Sequence, residues 1–200
     1  MAVKAVPEGY HTLTPSLTVK DGATAIDFYK KAFGAQERMR IPGPVGGLMH
    51  AELQMSDSIV MLAEEMPDMG CRAPASVGSV SSSLYVYVPD VDAAFKRAVE
   101  AGAKSLMPPA DMFWGDRFGT VEDPSGHRWG LATHKEDPSP AEMEKRQKEF
   151  FASMAQQKHL AAHARRPRLR DHRHDQEALH GGELEPRQRD AASLRQGAHH

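Results

Sequence analysis

Val19-Lys20-Asp21, followed by Ile26-Asp27-Phe28-Tyr29-Lys30-Lys31-Ala32-Phe33-Gly34-Ala35, has a second version further along the chain. At an offset of 69, Val19-Lys20-Asp21 falls on Val88-Pro89-Asp90 and Ala25 on Ala94. At 68, Gly34-Ala35 falls on Gly102-Ala103. Both stretches read as a strand ending in Val, an Asp at a helix start, about three helical turns and a Gly-Ala exit. Asp21 and Asp90 are placed to accept backbone N–H bonds at the positive end of the helix. Val91, Ala94, Phe95, Ala98 and Val99 form one apolar stripe at helical spacing, as do Ile26, Tyr29, Ala32 and Phe33. Gly34 and Gly102 supply the left-handed conformation that ends a helix.

Three extended segments follow the first helix, Glu37 to Ile41, Leu48 to Met55 and Ser58 to Ala63, separated by Gly43-Pro44-Val45-Gly46-Gly47 and Ser56-Asp57. The glycine cluster lacks the Gly-Lys-Ser/Thr ending of a phosphate loop and reads as a hairpin turn. The second copy runs through Ser82 to Val88, the helix, a short Ser105 to Met107 strand, Phe118 to Glu122 and Arg128 to Thr133. Asp123-Pro124-Ser125-Gly126 forms its last turn. The fold class expected is α+β, with tandem βαβββ repeats over about 10–65 and 80–135 whose curved sheets form an open eight-stranded cup.

The 200 residues are 40% hydrophobic and 26% charged, with 16 Gly, 14 Pro and one Cys, a composition that excludes collagen-like and disulfide-scaffold chains. Cys71 alone cannot form an internal disulfide and reads as a passive loop thiol. No secretory signal pattern is recognised, and the longest apolar runs, such as Ile59 to Ala63, fall far short of the ~20 residues that cross a bilayer. A cytoplasmic protein without a membrane partner is expected. The net charge of −2 gives no general attraction to nucleic acid.

That charge is a sum of unlike parts. Residues 158–200 contain no Val, Ile, Phe, Tyr, Trp, Met or Cys, yet hold 7 of the 11 His and 8 Arg. They carry 9 basic and 6 acidic residues, or +3, against −5 for the remainder. Such a segment reads as a disordered tail, and its composition also fits a GC-rich gene translated out of frame. His159, His163, His172 and His174, and the Arg165-Arg166-Pro167-Arg168 cluster, belong to it and receive no function. Ahead of the tail, Ser139-Pro140-Ala141-Glu142 opens a C-terminal helix, 139–156, with Met143, Phe150, Phe151 and Met154 along an apolar edge.

The Asp21-to-Gly34 stretch and the Glu122-Asp123-Pro124-Ser125-Gly126-His127 turn resemble the vicinal oxygen chelate superfamily of glyoxalase I, fosfomycin- and bleomycin-resistance proteins and extradiol dioxygenases. Met49-His50-Ala51-Glu52-Leu53, Gly115-Asp116-Arg117 and Gly126-His127-Arg128-Trp129 further resemble its PhnB-like branch. The resemblance spans about 10–135. It implies two-sheet cups, frequent homodimers, and in metal-using members four inward ligands, two from each repeat. The positions it points to are Thr14, Met61, Ser83 and Gly130, none of which offers an imidazole, carboxylate or amide. No metal or other cofactor is therefore firmly implied, and a divalent ion is left to an altered site.

If Ser56-Asp57 is a hairpin loop, His50, Glu52 and Gln54 share a side with Met61, inside the cup that the resemblance implies. His50 and Glu52 are the catalytic candidates, as a proton-sharing pair or as ligands of an altered metal site. A polar strand face without chemistry is the alternative. The ligand-binding candidates are Thr14, Met61, Ser83, Tyr85, Trp114 and Arg128. Tyr85 can donate a hydroxyl, Trp114 can stack on a planar ligand with Asp116 and Arg117 fixing its loop, and Arg128 can pair with an anion. The Met112-to-Arg117 stretch is assigned to the connection after the second helix. His11 and His127 read as structural. No Ser-His-Asp elbow or dinucleotide glycine motif is present. Three functions stay open: a small-molecule binder without a four-ligand metal site, a lyase, isomerase or transferase using His50 and Glu52, and an interaction protein acting through its C-terminal helix.

Overall fold

A computed structural model of the chain describes residues 3–44 and 46–164, with side chains to 157. The elements of the first repeat are β1 (Ser16–Val19), α1 (Gly22–Phe33), β2 (Gln36–Pro42), β3 (Leu48–Met55) and β4 (Ser58–Glu64). A connection containing the one-turn helix α2 (Pro74–Val77) leads to β5 (Ser83–Tyr87), α3 (Val91–Glu100), β6 (Lys104–Asp111), β7 (Asp116–Glu122) and β8 (Arg128–His134). Helix α4 spans Pro140–Ala164. It starts at the Ser139 cap, whose Oγ accepts from Glu142 N, and continues through residues 158–164, assigned above by composition to the tail. The rest of that tail, with its histidines and arginines, lies outside the described residues.

Each repeat builds one mixed four-stranded sheet, in the orders β1-β4-β3-β2 and β5-β8-β7-β6, so the fold is α+β without a closed barrel. The duplication reaches the level of register. The parallel pair Ser16↔Met61 recurs as Tyr85↔Gly130, 69 residues later on both strands. Backbone ties recur too. Gly22 N donates to Glu64 Oε2 and Leu48 N to the same oxygen, while Val91 N donates to Thr133 Oγ1. In both copies the first helical N–H, which has no partner within the helix, is met by the last strand of the sheet. Asp21 and Asp90 cap the helices through Thr24 N and Ala93 N.

The core lies on the helix side of both sheets. Ala51, Leu53 and Met55 of β3 and Val121 of β7 point into it, against α1 and α3. The Asp-Pro turn links the repeats through hydrogen bonds. Asp123 is buried and accepts from Ser125 N, His127 N, Trp129 Nε1 at 2.9 Å and, from the first repeat, Tyr29 Oη at 2.6 Å. Burial and the neighbouring carboxylate push the Tyr29 phenol well above its ordinary pKa. His127 Nε2 lies 2.9 Å from Thr18 O, and Lys20 N donates to Ser125 Oγ. Trp129, fully buried, packs on Tyr29 and Phe33 with ring centroids 5.4 and 4.8 Å apart. This motif therefore works here as a rivet between the halves.

Two expectations about the second repeat need correction. The strand placed at Ser105–Met107 runs from Lys104 to Asp111 through Pro108 and Pro109, because β6 is an edge strand and its ladder shifts between Met107 and Ala110. Consequently Met112–Gly115 is the turn of the β6–β7 hairpin, and Asp116 and Arg117 already belong to β7.

Candidate ligand-binding site

The Ser56-Asp57 turn pairs Met55 with Ser58 and Glu52 with Met61. The face of the first sheet turned away from α1 thus carries His50, Glu52 and Gln54 beside Met61, the parity expected from the hairpin. His50 Nε2 and Glu52 Oε1 are 3.5 Å apart, both partly buried. Glu52 also neighbours Tyr10 and raises its pKa.

The corresponding face of the second sheet is aromatic. In the ladders Tyr85 opposes Gly130, Gly130 opposes Thr120, Tyr87 and Phe118 both oppose Ala132, and Asp116 opposes His134. Phe118 and Tyr85 lie parallel, 9° apart with centroids at 5.1 Å, and Tyr87 tilts against Tyr85 at 5.2 Å. Trp114 meets Phe118 edge to face at 5.9 Å. The rings continue through Phe113 to Phe150 of α4, centroids 5.4 Å apart.

Asp116 organises this platform. It is only 4% exposed, and its Oδ2 accepts from Tyr85 Oη at 2.8 Å, Trp114 Nε1 at 3.1 Å and Tyr87 Oη at 3.2 Å. Its Oδ1 lies 2.8 Å from His134 Nδ1, while His134 Nε2 lies 3.1 Å from Asp137 Oδ1. Burial works against the charged carboxylate. The hydrogen bonds from His134, Tyr85, Trp114 and Tyr87 outweigh it and hold the Asp116 carboxyl below its usual range. Desolvation and the adjacent carboxylate push the Tyr85 and Tyr87 phenols up, and Asp116, then Asp137, raise the His134 imidazole. One buried charge therefore fixes the hydroxyl or indole ends of three rings, while Tyr85 and Tyr87 remain 46% and 63% exposed. Gly115, at φ 100°, lets the hairpin turn pass against the chain beyond β8, where a Cβ would come 2.1 Å from Glu136 O.

The sequence candidates are distributed accordingly. Tyr85 and Trp114 are joined through Asp116. Ser83 and Arg128 oppose each other and line a recess of about 250 Å³ beside Tyr85 and Phe118. His50, Glu52 and Met61 occupy the first sheet's face. Thr14 precedes β1, turns its hydroxyl to His11 O, and with His11, the β3–β4 hairpin and Tyr85 lines a 390 Å³ cavity between the repeats. Arg117 stands at the base of the turn that carries Trp114, opposite Asp111. It pairs in bidentate fashion with Asp92 of α3 at 2.7 and 2.8 Å and reaches Asp111 at 3.2 Å. Tyr87, Phe118 and His134 complete the site without being among the candidates legible in the sequence. The period-2 alternation that placed Tyr85 and Arg128 reaches Tyr87 and His134, since Tyr85-x-Tyr87 and Arg128-x-Gly130-x-Ala132-x-His134 each share one side, while Phe118 joins them only through the pairing of β7 with β8.

The residues at the metal positions of the resemblance do not fit a divalent ion. Thr14, Met61, Ser83 and Gly130 supply no strong donor set, and a Cβ on Gly130 would lie 2.6 Å from Phe118 Cε2 and 3.2 Å from Tyr85 Cδ2. The platform covers the place where a ligating side chain would start. Among the described residues no group of three or more His, Cys, Asp or Glu side chains is placed to hold a metal ion.

Duplicated βαβββ units with an inward-facing recess define a superfamily whose members combine one scaffold with many chemistries. Residues 10–131 match the model of the Glyoxalase/Bleomycin resistance protein/Dioxygenase superfamily, and the chain belongs to it. An uncharacterized protein of Mycobacterium bovis is 45% identical over 134 residues, 66% of this chain and 86% of that protein. TioX from Micromonospora sp. ML1 is 31% identical, with a TM-score of 0.51 over 62% of this chain and 98% of TioX. A gene product of Arabidopsis thaliana gives 25% identity and a TM-score of 0.51 over 62% of this chain and 98% of its own. Among the described residues no helix is long and apolar enough to cross a membrane.

Proposed function

We propose that the chain is a small-molecule-binding protein that holds a planar organic ligand on the aromatic face of its second repeat, without the four-ligand metal site of its metal-using relatives. The observation that carries this reading is the Phe118–Tyr85 stack over Gly130. It offers a flat apolar surface where a metal ligand would stand. Tyr85 and Tyr87 are exposed yet tethered through their hydroxyls by Asp116, so little of their side-chain freedom is left to lose when a ligand stacks on them. A thermal-shift screen of planar aromatic compounds tests it. Hits that raise the melting temperature of the wild type and lose that effect in Phe118→Ala support the reading. A screen without hits, or hits indifferent to Phe118, contradicts it.

A second reading, acid/base chemistry or an altered metal site at His50 and Glu52, is favoured by their 3.5 Å contact on the first face. Stoichiometric Mn, Fe, Ni or Zn in purified protein, lost in His50→Ala, would establish it over the metal-free reading. We further propose that the chain forms a homodimer, supported by Met39 and Ile41 at 40% and 41% exposure on the first sheet. The exposed Phe151 of α4 supports the interaction reading less strongly. Placement in the PhnB-like branch rests on the Met49–Leu53 and Gly126–Trp129 motifs, and a cytoplasmic site of action on the single cysteine.

A further inference from the structure

We infer that the ligand carries an acidic group, a carboxylate or similar oxyanion, which Arg128 grips at the end of the aromatic platform. The inference rests on the platform reading above and adds the chemical class of what binds there.

At one edge of the Tyr85–Phe118 stack lies the recess of about 250 Å³, lined by Val80, Ser81, Ser82, Ser83, Thr120 and Arg128 together with Tyr85, Phe118 and Gly130. That is smaller than the ~300 Å³ at which pockets begin to enclose whole drug-sized ligands. The recess fits the polar end of a molecule whose flat part lies on the open rings beside it. Its lining residues are polar at that end: Ser81, Ser82, Ser83, Thr120 and Arg128.

Arg128 sits in register between Ser83 on β5 and Glu122 on β7. The facing Glu122 makes its ion pair with Lys104 of β6, Oε1 to Nζ 3.9 Å, and among the described residues Arg128 has no carboxylate within 4.0 Å. Arg117, Arg40 and Arg146 are each paired, whereas Arg128 shares its lack of an ion pair among the described residues with Arg38, Arg72 and Arg97 and differs from them in lining the recess beside the rings. Two cations and one carboxylate leave this edge of the sheet with a local excess of positive charge. A guanidinium presents a planar fork that matches a carboxylate, and neighbouring hydroxyls can donate to its remaining lone pairs. The rings lie directly over Gly130, two residues along β8 from Arg128 and on the same side of the strand, so an acid bonded directly to a flat ring system can reach both rings and fork.

The experiment is isothermal titration of the full chain with 2-naphthoate and 2-naphthamide, two probes of one shape that differ in charge. The wild type is expected to bind the acid about tenfold more tightly than the amide, as a charge-assisted hydrogen bond supplies. The preference should shrink as salt is raised. In Arg128→Gln the two affinities should converge on that of the amide, which itself stays unchanged. Equal binding of both probes by the wild type, abolished in Phe118→Ala, would overturn the acidic-group inference and leave the platform standing. A preference for the acid that survives in Arg128→Gln would overturn the role of Arg128. Failure of both probes to bind would overturn the inference together with the platform on which it rests.

Discussion

Gly130→Ala is the sharpest perturbation of the platform. Gly130 is buried mid-strand, and its added Cβ would meet Phe118 Cε2 at 2.6 Å, Phe118 Cζ at 3.0 Å and Tyr85 Cδ2 at 3.2 Å. No backbone strain is involved, since its φ is not in the left-handed region. The whole cost arises because the Phe118 ring must swing off its stack. Overpacking of this kind costs about 1–3 kcal/mol, and the parallel ring pair is worth about 0.5–1.5 kcal/mol beyond its buried area. Removing a glycine from a strand returns about 0.5–1 kcal/mol. The net destabilisation expected is about 2 kcal/mol, or roughly 4–8 °C in melting temperature for a domain of this size. Circular dichroism melts of the wild type, both single variants and the pair Gly130→Ala/Phe118→Ala give a double-mutant cycle. In the Phe118→Ala background the Gly130 substitution should cost nothing or stabilise. A Gly130→Ala protein as stable as the wild type, or a penalty that persists without the Phe118 ring, would refute the argument that this ring occupies the site.

Two other substitutions test the surrounding framework. Asp123→Asn keeps the shape of the rivet but cannot accept from all four of its donors, and it should lower the free energy of unfolding by about 2–4 kcal/mol in urea titration; a loss below ~1 kcal/mol would show that the repeats are held mainly by the Trp129 rings. The His134–Asp116 pair sets a pH window. Because His134 is raised in the folded chain, its contribution is complete below the ordinary imidazole value of 6.5 and disappears as pH rises through the folded value. Asp116 is lowered, so its contribution is complete above 3.8 and disappears as pH falls through its folded value. Urea midpoints should therefore decline from mildly acidic toward alkaline pH in the wild type and flatten over that range in His134→Ala; parallel curves for the two proteins would sink this assignment.

The fold was legible because duplication leaves marks at two levels. Asp caps, apolar stripes and Gly-Ala exits recur at offsets of 69 and 68, and a pattern met twice is hard to produce by chance. The hairpin turn at Ser56-Asp57 fixed which side of β3 carries His50 and Glu52, since a one-residue slip would have sent both to the other face. The β6 strand was legible only as far as Met107 because Pro108-Pro109 reads as a break, and only its edge position makes the prolines compatible with a ladder. The aromatic site was half visible. Tyr85 stood out as a single residue and Trp114 with Asp116 beside it in the chain, whereas the tie of Tyr85 to Asp116 depends on β5, β7 and β8 being neighbours, a long-range pairing that no local pattern encodes. For the same reason the Asp123 turn could be recognised as a motif while its bond to Tyr29, 94 residues away, could not be foreseen. The vacancy at Gly130 was plain in the sequence, but what fills it is Phe118, twelve residues earlier on the adjacent strand.

Chemical-shift mapping of isotope-labelled full-length protein titrated with 2-naphthoate tests the central claim most directly, because it asks the molecule where a flat acid binds. The account predicts that the shifted amides concentrate in 83–87, 114–120 and 128–134, the three strands and the turn that carry the platform and Arg128. Shifts centred instead on 50–54 and 59–63, the strands that carry His50, Glu52 and Met61, would contradict it and transfer the site to the first repeat.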